Sequence, residues 1–254
     1  MDTTLPLEAA PPVSERPPTL SLLKRSVAVF VRPAQAWTGL AERAQWWFPL
    51  LVMVAIVTLS SLALFQRALV PMMTEQMEQQ AQNGQMSQDQ LDRMERTMSG
   101  PVGMAISIGP QAVLFPVLTL MIALLIWFGV GFVLGTNMKY RLALEVACWS
   151  WFIKIPEYFL ATALGWIKET MRGVHVGFGI LLPDMDPPSK LHVALGVLLD
   201  GLGPLAIWYL AVGILGAAAL SGAPRKSVAW VLSALYLVVL ALVAAFAALL
   251  TPSA

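Results

Sequence analysis

The chain is 254 residues long, 57% of them hydrophobic and only 12% charged, with a mean hydropathy of +0.70. Such a composition excludes an average soluble domain, and a net charge of +1 gives no reason to expect a nucleic-acid partner. The single cysteine, Cys148, excludes an intrachain disulfide.

Residues Met1 to Thr19 carry Asp2, Glu8, Glu15 and several prolines where a secretory signal would need an apolar core, so 1–19 is expected to be a disordered, Pro-rich leader. Leu20, Leu23, Val27 and Phe30 then recur at helical spacing with Lys24 and Arg25 on the other side. This pattern fits equally a helix lying on the membrane surface and a helix packed on a bundle. Pro33 is suited to open a second short helix, Ala34 to Arg43, with Trp37 and Leu40 on one side. Trp46, Trp47 and Phe48 follow as an aromatic anchor at headgroup level. Residues 20–46 are thus expected to be a cytoplasmic juxtamembrane unit. Its Lys24, Arg25, Arg32, Trp37 and Arg43 are candidate contacts for membrane lipids or a cytoplasmic protein partner.

Five apolar runs follow, at about 48–66, 111–135, 142–167, 204–220 and 228–250. A helix rising 1.5 Å per residue needs about 20 such residues to cross a hydrocarbon core of roughly 30 Å. The expected fold is therefore all-α: a polytopic membrane bundle over residues 47–254 with five transmembrane helices. Between the first two spans, a helical hairpin is expected at 71–99. Asn83 and Gly84 interrupt it, Ser87 and Gln90 form a capping box, and Leu91, Met94 and Met98 make a stripe better suited to packing than to gripping a partner. Lys24, Arg25, Arg32 and Arg43 precede the first span, Lys139 and Arg141 follow the second, and Arg225 and Lys226 precede the fifth. The positive-inside rule puts all of them in the cytoplasm, with the amino terminus inside and the carboxyl terminus outside.

Charge inside the spans is sparse. Lys154 lies deep in the third span, where an ammonium needs a partner, and Glu157 at i+3 and Asp200 are the candidates. Pro156 removes the amide that would have bonded the carbonyl of Phe152 and should bend the helix there. Lys154, Glu157 and Asp200 read foremost as a paired charge fixing helix register, and secondly as an ion or proton pathway or a lipid-headgroup pocket. Leu191 to Leu199 is too short to cross, and Asp200, Gly201, Gly203 and Pro204 interrupt the pattern. An outer interfacial helix turning at Gly203 is preferred over the discontinuous helix of a transporter. Gly131 and Gly135 form a GxxxG pair that permits close helix approach but decides no oligomeric state.

His175, His192, Asp184 and Asp186 share the third outer loop without a usual zinc spacing, so no metal is expected. A nucleophile elbow, a phosphate loop and a dinucleotide fingerprint are all missing. Neither catalysis nor a cofactor is expected.

Phe30, Pro33, Trp37, Leu40, Trp47 and Pro49 form an entry to the first span, followed in order by the Met- and Gln-rich outer loop. The Gly135 to Arg141 turn with Lys139 and Tyr140, then Pro156, then the Trp208 region complete the series. In these features the chain resembles the Yip-one family of Ypt/Rab-interacting membrane proteins, in its prokaryotic type. The resemblance implies a five-span bundle with a cytoplasmic amino terminus. Eukaryotic members contact small GTPases and carry an Asp-Leu-Tyr-Gly-Pro type stretch before the first span. That stretch is missing here, which argues against a small GTPase as partner.

The function expected is that of a non-enzymatic integral membrane protein, in a bacterial inner membrane, that organises the membrane or recruits partners at its cytoplasmic face. The competing class is a small transporter or channel using Lys154, Glu157 and Asp200.

Overall fold

A computed structural model describes residues 19–82, 84, 87–98, 100–183, 185 and 188–251. The leader expected over 1–19 lies outside them but for its last residue, as do Asn83, Asp184 and Asp186. The described residues form helices and turns and no strand: α1 (Leu22–Val31), α2 (Trp47–Leu64), α3 (Val70–Gln82), α4 (Gln88–Met98), α5 (Pro101–Ile126), α6 (Tyr140–Ser150), α7 (Ile155–Lys168), α8 (Lys190–Gly201), α9 (Pro204–Ser221) and α10 (Arg225–Leu250).

Four helical stretches are long and apolar enough to cross a membrane: Trp47–Glu75, Pro101–Val133, Pro204–Ser221 and Arg225–Leu250. The first joins α2 to α3 through a π-helical turn, Phe65–Leu69, and the second extends α5 through another, Trp127–Val133. The second begins ten residues before the expected Gln111 because its polar residues are satisfied within the bundle. Gln111 accepts from Ser61 Oγ at 2.5 Å and donates to the Ser107 carbonyl at 3.3 Å. The third expected span, 142–167, departs from a single long helix. Its backbone runs through α6, a 3-10 turn at Trp151–Lys154 and then α7, with Pro156 in the first turn of α7 where its missing N–H costs nothing.

α6 is the axis of the packing. Every residue from Ala143 to Ser150 is buried, with α5 on one side and α9 on another. Ala147, Cys148, Trp149 and Ile153 share one core with Val29, Trp37 and Leu40 of the amino-terminal segment and Val228 and Leu232 of α10. The second short helix expected over Ala34 to Arg43 is absent; a run of tight turns replaces it, with Gln35 N bonded to Arg32 O and Thr38 N to Gln35 O. Gly39 sits at φ +75°, a left-handed conformation that ends any helix there, and a Cβ on it would strike Thr19. The close approach expected of Gly131 and Gly135 belongs instead to Gly129, where a Cβ would lie 2.7 Å from Leu235 and 2.9 Å from Val231 of α10.

Candidate functional site

Three polar centres interrupt the apolar bundle. The first holds the amino-terminal segment in place. Arg25 is fully buried. Its Nε donates to Gln45 Oε1 at 2.9 Å, one Nη donates to the Ala36 carbonyl, and the other donates to the Thr38 carbonyl at 2.9 Å. The guanidinium also lies over the Trp149 ring, 5.7 Å from its centroid. Burial lowers the guanidinium pKa from its ordinary value, and the nearby charge of Glu145 acts in the opposite direction. The Gln45 backbone amide in turn donates to Glu145 Oε1 at 2.7 Å, and that oxygen lies 3.8 Å from Arg141. Arg141 closes the ring by donating to the carbonyls of Leu40 at 3.2 Å and Ala41 at 2.5 Å.

This clamp corrects two of the surface contacts expected from the sequence. Arg25 is spent on carbonyls and Gln45, and Trp37 is a buried wedge whose ring closes on α9: a Cβ on Gly216 would lie 2.5 Å from it. Neither side chain is available to a membrane surface or a partner. Lys24, Arg32 and Arg43 are exposed. Leu23, Val27 and Val31 are 76%, 61% and 67% exposed, on the face of α1 opposite Arg25 and Val29. A groove of about 480 Å³ lies beside Leu23, bounded by Leu20, Leu23, Arg43 and Trp47.

The second centre is the pair Lys154 and Glu157. Lys154 Nζ meets Glu157 Oε2 at 2.6 Å, with the two side chains 15% and 32% exposed. The 3-10 turn and the restart at Ile155 set these residues on adjacent turns. Lys154 also lines a cavity of about 420 Å³ between α5, α9 and α10.

Asp200 does not join that pair and forms the third centre. One carboxylate oxygen lies 2.6 Å from His175 Nδ1, and the other accepts from the amides of Gly177 at 3.0 Å and Gly179 at 3.1 Å. The glycines are required by closeness: a Cβ on Gly179 would lie 2.5 Å from His175 Nδ1 and 2.6 Å from Asp200 Oδ1. A bowl of about 700 Å³, lined by Lys168, Arg172, His175, His192 and Asp200, opens above this dyad. The α8–α9 break lies beside the middle of α10, because Tyr236 donates to the Gly201 carbonyl at 2.6 Å and a Cβ on Gly201 would strike Leu240. α8 packs along α10, and the chain turns at Gly203 and restarts at Pro204, where the sequence pattern expects the turn. Among the described residues no three His, Cys, Asp or Glu side chains are grouped to hold a metal.

Residue-by-residue reading missed Gln45 and Glu145 altogether. Glu145 carried a signal, as a lone acid four residues after Arg141 inside an apolar helix. His175 as the partner of Asp200 carried none, since twenty-five residues separate the two.

Among known families, the model described as "Yip1 domain" matches residues 27–247. No curated protein and no solved structure matches the chain.

Proposed function

The chain belongs to the Yip1 domain family, and from that premise we propose a non-enzymatic integral membrane protein that organises the membrane or recruits protein partners at its cytoplasmic face. Its setting is a multi-pass one, crossed five times, with the amino terminus in the cytoplasm and the carboxyl terminus outside. Support for the fifth crossing comes from the helical path between Tyr140 and Lys168, long enough at about 1.5 Å per residue to exceed a core of about 30 Å. Support for the orientation comes from Lys139, Arg141, Arg225 and Lys226, which lie in or within two residues of the short connectors expected inside. A bacterial inner membrane is the compartment that this reading favours.

The observation that carries the functional reading is the mounting of α1. Arg25 locks one face of this helix onto the bundle while Leu23, Val27 and Val31 face outward beside Lys24 and Arg32. An apolar stripe flanked by cations and fixed to a rigid base suits either the interfacial zone of an anionic leaflet or the groove of a protein partner. The transporter alternative draws less support, because Asp200 is engaged by His175 and two loop amides and does not continue a line of charge from Lys154.

Photocrosslinking residues at Val27 and Val31, introduced one at a time in native membranes, test the recruitment reading. Recovery of the same protein adduct from both positions, lost when Leu23 is replaced by Glu, is the expected result. Partners that copurify unchanged after deletion of residues 1–32 would overturn it.

A further inference from the structure

The cavity beside Lys154 combines a long apolar wall with polar groups that lack partners. Its volume of about 420 Å³ corresponds to roughly fourteen groups of the size of a water molecule, at about 30 Å³ each. Leu210 of α9 and Leu232, Leu235 and Val239 of α10 line the apolar side. The end of α6 and the 3-10 turn line the other with Ser150, Trp151 and Lys154.

Two of these polar residues have buried atoms without a hydrogen bond, Ser150 Oγ and Trp151 Nε1. An ammonium carries three donors, and among the described residues Lys154 bonds to Glu157. Beyond the cavity, α5 and α10 expose Leu124, Val238 and Leu242. The medium that reaches this region is therefore hydrocarbon, which offers no acceptor to Ser150 Oγ, to Trp151 Nε1 or to the Lys154 N–H groups that Glu157 leaves unused. A ligand that fills the cavity must be mostly apolar and must bring an acceptor.

We propose that this cavity binds one single-chain fatty acid, its tail along Leu232, Leu235 and Val239 and its carboxyl group accepting hydrogen bonds from the Ser150, Trp151 and Lys154 wall. The volume selects a single chain of about a dozen carbons with its carboxyl group; a two-chain phospholipid leaves its second chain and headgroup outside. The Lys154–Glu157 pair is retained when the ligand binds, because a carboxyl oxygen needs only donors that the pair leaves unused.

The full chain in phospholipid nanodiscs, exposed to a diazirine-bearing lauric acid or to a phosphatidylcholine carrying the same diazirine chain, provides the test. The fatty-acid probe is expected to label 122–126 and 232–243, with labelling there at least tenfold lower in Leu235→Trp, which fills the cavity, and severalfold lower in Lys154→Met. Labelling of the carboxyl-terminal turn of α10 should stay constant in both variants. Val239→Phe, on the next turn of the same wall, is expected to give the same loss and replaces Leu235→Trp if that variant does not accumulate. Equal labelling by the phosphatidylcholine probe, or labelling that both filling substitutions leave unchanged, would overturn the proposal.

Discussion

The backbone amide of Gln45 donates to the carboxylate of Glu145 at 2.7 Å, joining residues one hundred positions apart. Through this bond the entry to α2 is tied to the centre of α6, and through Gln45 Oε1 the tie continues to Arg25. The exposed face of α1 is therefore mounted on α6, whose residues from Ala143 to Ser150 are all buried, so the stability of the core and the presentation of that face are linked.

Glu145→Ala should expose that linkage. It leaves the Gln45 amide without its acceptor and Arg141 without its neighbour, and removing one member of a buried charged network costs about 3–5 kcal/mol. Glu145→Gln keeps an oxygen for the amide and should cost nearer 1 kcal/mol. Reversible unfolding in detergent, followed by tryptophan fluorescence, measures both. Equal losses would show that charge rather than the hydrogen bond holds Gln45.

Arg25→Lys is expected to behave almost as badly as Arg25→Ala. Three acceptors lie around a planar fork, and a single ammonium on a flexible stem cannot reach Gln45, Ala36 and Thr38 together. Limited proteolysis should cut 19–32 in both variants at rates well above wild type while α10 remains protected. Wild-type protection in Arg25→Lys would mean that charge alone retains α1.

The apolar stretches over Pro204–Ser221 and Arg225–Leu250 were legible because lipid selects an unbroken apolar surface, and the same chemistry appears in sequence and in structure. Arg25 was not legible in the same way. A basic residue on an amphipathic helix reads alike whether its guanidinium meets headgroups or carbonyls, and its partners lie 11 to 20 residues away. Asp200 misled for a related reason. As an acid among apolar residues it looked like a counter-charge for Lys154, whereas its ligands are a histidine and two loop amides that carry no periodic signal.

The exposed clasp at the other end of the bundle should matter far less than the buried one. Arg67 pairs with Glu169 at 2.9 Å, but the side chains are 45% and 62% exposed. Such pairs contribute about 0–1 kcal/mol. Arg67 also lies over the Trp166 ring, 4.8 Å from its centroid. Glu169→Gln is therefore expected to shift unfolding by less than about 1 kcal/mol, and Trp166→Leu by a comparable amount from the lost cation–π contact. A double-mutant cycle on the same unfolding assay separates the two terms.

Asp200→Ala should loosen the loop over 175–181 without unfolding the bundle. The substitution withdraws the acceptor of the Gly177 and Gly179 amides and the partner of His175 Nδ1 at once, while Tyr236 still holds the Gly201 carbonyl. Hydrogen exchange should rise at 175–181 by at least tenfold, equivalent to about 1.4 kcal/mol of local opening, and stay unchanged in α9. Gly179→Ala supplies an independent route to the same state, since its Cβ would drive His175 and Asp200 apart from the opposite side. If Gly179→Ala raised exchange while Asp200→Ala did not, steric packing of the glycines rather than the carboxylate would be what holds the loop on the α8–α9 break.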